Sequence, residues 1–278
     1  MPQVADLLLR SRELAEVSDT PELDTQLLLC RVLDCSSAWL KTWPDAPIDE
    51  TQRIFFEALL NRRIIGEPIA YVLGEQGFWS LDLEVSDATL IPRPETELLI
   101  ETALRVTLPS RSRVLDLGTG SGAIALALAS ERAKWLITAT DNQPAALVIA
   151  EQNRHRYGLK NVDFLCGDWY APVVGKRYEL ILSNPPYIAP HDVHLNCGDV
   201  RYEPRSALVA SGHGLDDLRH IITYAPAFLE RMGWLMTEHG YNQAADVRAL
   251  YRDAGFQKIV TKSDVNGLER ITLGCNSY

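Results

Sequence analysis

Residues 184 to 187 read Asn-Pro-Pro-Tyr and close the apolar run "LILS" (180 to 183). Two consecutive prolines fix φ and carry no N–H, so carbonyl oxygens in and around the turn are left to face whatever lies beside them. Asn184 adds a side-chain amide whose oxygen also accepts, and Tyr187 adds an aromatic wall. A rigid group of acceptors of this kind suits a planar NH2 group. The nitrogen of an amide or aromatic amine is a poor nucleophile because its lone pair is delocalised. Accepting both N–H hydrogens at fixed positions orients the nitrogen and stabilises positive charge that grows on it during attack. Alignment for in-line displacement is worth up to ~7–11 kcal/mol. The motif contains no His, Lys or Glu. None is required, because the substituted nitrogen becomes strongly acidic, and the rate is therefore expected to be nearly flat from roughly pH 6.5 to 8.5.

A second group lies upstream. "DLGTGSGAI" (116 to 124) follows an apolar strand and opens a helix. Gly118, Gly120 and Gly122 let the backbone turn tightly and approach a ligand where a Cβ would collide. With Ala123 the letters satisfy G-x-G-x-x-A, and Asp141, 23 residues after Gly118, ends the next strand where an acid can hold ribose hydroxyls. On these residues alone a nicotinamide dehydrogenase stands open. The next strand ends in "GDW" (167 to 169), where the Trp169 indole offers a flat face to an adenine and the Asp168 carboxylate an acceptor for its amino hydrogens.

These residues need strands and helices to hold them. From Arg113 onward short apolar strands alternate with helical segments: "RVLDLG", "AIALALASE", "WLITATD", "PAALVIAEQNRHRYG", "VDFLCGD", "YELILSN", then "GWLMTEHG", "AADVRALYRDAG", "FQKIVTK" and "ERITLGC". Regular βα alternation predicts a parallel sheet with helices on both faces and ligands beyond the carboxyl ends of the strands. Residues 1–73 show Leu and Val at helical spacing and predict a small helical bundle, with Asp24 as a helix N-cap. Residues 74–92, "GEQGFWSLDLEVSDATLIP", predict a β-hairpin linking that bundle to the domain spanning 93–278. Pro94 suits a first helical turn, with Glu95 and Glu97 at its positive end, so a helix is predicted from there to about Val106.

"DLGTGSG" followed by an acid at the next strand end resembles the S-adenosyl-L-methionine site of class I methyltransferases. Adding "GFWSLDLEV", "LIPRPETE", "GDW", "SNPPYI" and "YEPRSAL" (202 to 208), the chain resembles, over nearly its whole length, the peptide chain release factor glutamine methyltransferase family, called HemK or PrmC. The resemblance implies an α/β, doubly wound, Rossmann-like class I methyltransferase sheet with a small N-terminal helical domain joined by a β-hairpin. It implies methyl transfer from S-adenosyl-L-methionine, leaving S-adenosyl-L-homocysteine, to the side-chain N5 of the glutamine in the Gly-Gly-Gln motif of class 1 release factors. Carried over by position, Gly118, Thr119, Gly120, Ser121, Gly122, Asp141, Trp169 and Asn184 contact the cofactor. Asn184, Pro185, Pro186 and Tyr187 hold the glutamine amide, with Asn184, Pro185 and Tyr187 as the catalytic residues. Arg93, Glu95, Glu203 and Arg205 are weaker candidates, with ion-pair bracing of the loops an equal reading. The alternative within the same chemistry is an adenine-N6 methyltransferase acting on nucleic acid.

Composition separates these. The net charge is -10 over 278 residues, the wrong sign for a protein whose affinity comes from neutralising phosphates, so a nucleic-acid substrate is not expected. Between Asp6 and Glu75 there are 13 acids against 7 Lys or Arg, either a solvated face or a docking surface for a basic partner, which a translation factor would be. No apolar stretch approaches the ~20 residues of a membrane helix, and the acidic N-terminus lacks the basic start of a secretory signal, so a cytoplasmic protein is expected. Cys30, Cys35, Cys166, Cys197 and Cys275 show no CxxC spacing and are expected to be reduced and mostly buried. His191 and His194 have no third ligand nearby, so no metal is expected.

Overall fold

Leucine spacing near the N-terminus yields α1 (Val4–Leu8), α2 (Pro21–Leu33), α3 (Ser37–Thr42), α4 (Glu50–Ile64) and α5 (Ile69–Leu73) in the computed structural model, which describes residues 1–277. α4 begins at a capping box: Gln52 N donates to Asp49 Oδ1 (2.8 Å) and Asp49 N to Gln52 Oε1 (2.9 Å), satisfying two donors that the first turn orphans. Asp24 does not cap α2 as expected. Pro21, whose fixed φ favours the first helical position, starts that helix after Thr20. Asp24 is instead buried one turn in, where it receives Arg63 Nε at 2.7 Å and the Ser18 hydroxyl at 2.7 Å. Leu14, Leu28, Leu29, Phe56 and Leu60 are buried together in the apolar core of these helices. The compact unit they build comprises Met1–Glu75 and, from far along the chain, Val193–Tyr202. Asp199 of that segment lies 3.3 Å from Arg63, and the Tyr202 hydroxyl donates to the Ile65 carbonyl.

The second unit takes Gln76–Asp192 and the chain from Glu203 onward. The expected hairpin is present as β1 (Glu75–Phe78) and β2 (Leu81–Glu84). Its Phe78, Leu81 and Leu83 are buried in the same core as the sheet, so it is packed structure and not a spacer. Among the described residues, seven further strands make one sheet: β3 (Arg113–Leu117), β4 (Leu136–Asp141), β5 (Val162–Cys166), β6 (Tyr178–Ser183), β7 (Leu229–Glu238), β8 (Gln257–Ser263) and β9 (Glu269–Cys275). Their order is β5-β4-β3-β6-β7-β9-β8.

Successive residues of a strand face opposite sides, and two cores record it. Val114, Leu180, Leu182 and Met236 lie in one core, whereas Leu115, Leu117, Ile181 and Leu235 lie in the other. α6 (Glu97–Arg105) and α7 (Ala123–Glu131) cover the first face, and α8 (Pro144–Arg156) follows β4. The short turns α9 (Arg205–Leu208) and α10 (Ser211–Gly214) lead to α11 (Asp216–Phe228), which with α12 (Ala244–Asp253) covers the second face. Covering both faces explains why the central strands read as unbroken apolar runs.

The expectation of a parallel sheet holds from β5 to β7 and fails beyond it: β9 pairs antiparallel with both β7 and β8. A parallel return needs a crossover of a dozen residues or so. Only a short turn joins β8 to β9, held by Asp264 Oδ1 accepting from Asn266 N and Leu268 N, so the two must pair as a hairpin. Of the five thiols, only Cys275 is buried, and Cys166 and Cys197 are exposed, contrary to expectation.

Candidate active site

Strand order reverses at β3, which has β4 on one side and β6 on the other. A crevice opens outside the carboxyl ends of strands at such a point. Here it is a cavity of about 210 Å³ bounded by the glycine loop after β3, Asp141 at the end of β4, Trp169 after β5 and Asn184 after β6. Four segments remote in sequence converge because each follows a strand of the same sheet.

The loop after β3 is shaped by its glycines. Gly118, Gly120 and Gly122 have φ of +72°, +56° and +86°, where a Cβ is strained. They differ in purpose. Gly118, Thr119, Gly120 and Ser121 line the cavity, and a Cβ on Gly120 would meet no protein atom within 4 Å, only the space a ligand would take. Gly122 stands back, and a Cβ there would lie 2.9 Å from Leu126 Cδ1 and 3.3 Å from Ala150 Cβ, so this glycine serves packing between α7 and α8. Asp116 anchors the loop from below, accepting from the Thr119 hydroxyl at 2.6 Å, and burial pushes its carboxyl up to about 7.

Asp141 accepts from Gly120 N (2.8 Å, Oδ2) and Gln143 N (2.9 Å, Oδ1). Each oxygen keeps a second lone-pair direction, enough for two neighbouring ribose hydroxyls. Burial raises its pKa, and the backbone donors oppose that shift. Trp169 occupies a left-handed conformation (φ +42°) rare for a bulky residue, and its ring lies beside Gly118, whose Cβ would come 3.4 Å from the indole. Asp168 also lines the cavity. The donor set fits S-adenosyl-L-methionine: a glycine cradle open to a chain of atoms, a carboxylate for vicinal hydroxyls and an indole face for a purine.

Of the tetrapeptide, Asn184 and Pro186 line the cavity, whereas Pro185 and Tyr187 do not. The Tyr187 hydroxyl donates to Glu238 Oε1 (3.2 Å), which anchors the ring, and burial raises the phenol far above its ordinary pKa. Its carbonyl is already taken by Gln243 Nε2 (2.9 Å). Asn184 Nδ2 donates to Thr96 Oγ1 (3.1 Å), and Thr96 in turn to Glu238 Oε2 (2.7 Å).

Arg93 pairs with Glu203, whose other oxygen accepts from Ile91 N (3.0 Å), so these two brace the junction loop. Arg205 is exposed and Glu95 lies near Glu238. Sequence reasoning missed Thr96, Asp116 and Glu238. A signal existed for the last: "GWLMTEHG" puts a carboxylate at the carboxyl end of a buried strand, the edge where ligands gather.

The chain matches two family descriptions, the PrmC N-terminal domain over residues 8–74 and the methyltransferase small domain over residues 94–208. It is 51% identical to the release factor glutamine methyltransferase of Vibrio cholerae serotype O1, covering 92% of this chain and 90% of that one. The proteins of the same name from Xylella fastidiosa strain 9a5c (48%, covering 99% and 98%) and Pseudomonas aeruginosa PAO1 (50%, covering 96% of each) are similar over equal spans. Among solved structures, a methyltransferase from Pyrococcus furiosus aligns with TM-score 0.56 at 17% identity over 80% of this chain and 100% of its own. The hMettl16 catalytic domain in complex with MAT2A 3′UTR hairpin 6 aligns with TM-score 0.58 at 18% identity, over 70% of this chain and 76% of its own. Identity that low speaks to the fold alone. With near half-identity sustained from end to end, and a site whose strand-end residues suit a methyl donor and a planar amino group, the chain belongs to the release factor glutamine methyltransferase family.

Proposed function

We propose that this enzyme methylates the side-chain N5 of the glutamine in the Gly-Gly-Gln motif of class 1 release factors. S-adenosyl-L-methionine, when bound, supplies a methyl group activated by its positive sulfur. The Gly118 to Ser121 backbone, Asp141 and Trp169 hold that donor beside the end of β6. Asn184 and the carbonyls before Tyr187 accept the two N–H hydrogens of the carboxamide and turn its nitrogen toward the methyl. As the N–C bond forms and the methyl–sulfur bond breaks, S-adenosyl-L-homocysteine would leave, positive charge on the nitrogen would meet acceptors already in place, and the nitrogen would then release one proton to solvent.

The observation that carries this reading is the opening of Asn184 and Pro186 into the same cavity as Gly120, Asp141 and Trp169. The acidic helical unit supports a docking role toward a basic protein. Release factors work at ribosomes, so the two would meet in the cytoplasm, and no helix among the described residues is long and apolar enough to cross a membrane. Mass mapping after incubation with S-adenosyl-L-methionine tests the proposal: one methyl on the Gly-Gly-Gln glutamine is expected. Transfer to adenine in DNA or RNA, with the release factor unmodified, would overturn it.

A further inference from the structure

We infer that Thr96 and Glu238 are positioning residues that set which way the Asn184 amide faces, so that its oxygen and not its NH2 is offered to the substrate nitrogen. The inference rests on the reading of residues 184 to 187 given above. Glu238, at the carboxyl end of β7, is buried and receives Thr96 Oγ1 on one oxygen (2.7 Å) and the Tyr187 hydroxyl on the other (3.2 Å). An ionised carboxylate only accepts, so both hydroxyls must aim their protons at it. Thr96 has one hydroxyl proton. Once that is committed its oxygen can only accept, and the Asn184 amide 3.1 Å away must present Nδ2 to it. A carboxamide is planar, so Oδ1 then lies on the side away from Thr96. The polarity of the run Asn184, Thr96, Glu238 assigns the amide orientation, which electron density alone seldom distinguishes. The same carboxylate holds Tyr187, so both ends of the tetrapeptide depend on one buried charge.

The groups facing Glu238 decide when that charge exists. Burial pushes its carboxyl up to about 7, with the Thr96 and Tyr187 hydrogen bonds and Arg270 favouring the ionised form and Glu95 opposing it. Arg270 is itself paired with Asp264 (3.0 Å), and His239, next in the chain, turns to Thr272 (2.9 Å). A protonated Glu238 gains a donor, Thr96 loses its single obligatory direction, and Asn184 is free to turn. Transfer is therefore expected to slow as pH falls through about 7, in place of the flat profile that the motif alone suggested.

Steady-state kinetics on the intact enzyme with a release factor, paired with calorimetric titration of S-adenosyl-L-methionine, tests this. Thr96→Val removes the hydroxyl at nearly constant volume and is expected to lower kcat about tenfold or more while the S-adenosyl-L-methionine Kd stays within about twofold. Thr96→Ser, which keeps the hydroxyl, should recover most of the rate. In an Asn184→Ala background Thr96→Val should cost nothing further, since no amide remains to be oriented. Glu238→Gln should remove the acid limb of the single-turnover profile. The inference is overturned if Thr96→Val keeps kcat within about twofold of the parent, or if its loss persists undiminished on Asn184→Ala. An Asn184→Ala enzyme with unchanged kcat would instead defeat the reading of the tetrapeptide itself. Should Glu238→Gln fail to fold, the Thr96 series decides alone.

Discussion

At the scale of single residues, three side chains do work that their letters do not announce. Trp169 holds a left-handed backbone while lining the cavity. For a residue with a Cβ that conformation costs roughly 1–2 kcal/mol, and glycine is spared it. Trp169→Gly should therefore unfold at higher urea than Trp169→Ala, although both lose the indole and both should bind S-adenosyl-L-methionine more weakly by calorimetry. Equal unfolding midpoints would show that the backbone there is relaxed. Asp116 and Glu238 carry the opposite kind of cost. Each folded-state pKa is raised to about 7, above its ordinary value of 3.8 or 4.5. The folded protein thus binds more protons than the unfolded chain across that interval, and the stabilisation present at low pH is lost as pH rises through about 7. Stability measured by urea unfolding should fall between about pH 4 and 7, by on the order of a few kcal/mol at most, with a shallower slope in Asp116→Asn. The places of Asn184 and Asp141 at strand ends were legible because the apolar runs stop there. The hydrogen bonds of Tyr187 and Thr96 were not, because Glu238, which receives both hydroxyls, lies 142 residues from Thr96 and 51 from Tyr187.

Elements were legible wherever hydrophobic period and punctuation agreed. The strands "RVLDL" and "YELILS", the glycine turn and the helix after Pro94 all stand where their patterns put them. Pairing direction at the far edge was not legible, because strand patterns do not state their partners. That required seeing that Asp264 closes a short turn between β8 and β9. Likewise three glycines in one loop look alike in sequence yet separate in space. Gly122→Ala should chiefly lower stability, by about 1–3 kcal/mol, because its methyl must enter the packed seam against Leu126 and Ala150. Gly120→Ala shares the left-handed strain of roughly 1–2 kcal/mol but meets no packed neighbour, so its added effect should be weaker S-adenosyl-L-methionine binding. Calorimetric titration and urea unfolding on both variants check this, and similar losses in both properties would contradict the separation.

For the molecule as a whole, charge is unevenly shared. Residues 6 to 75 carry 13 acids against 7 basic residues, and Asp24 is consumed internally by Arg63. Reversing exposed acids of this unit to lysine should lower kcat/KM on intact release factor while sparing a short Gly-Gly-Gln peptide, because only the former presents a basic body to dock. Equal loss on both substrates would remove the docking role. Val193–Tyr202 belongs with the helices although Asp192 before it and Glu203 after it belong with the sheet. The backbone thus passes between the two units three times, and a fragment started at Gln76 would carry residues 193–202 without the helices they belong with. The two units are for this reason not separable cassettes.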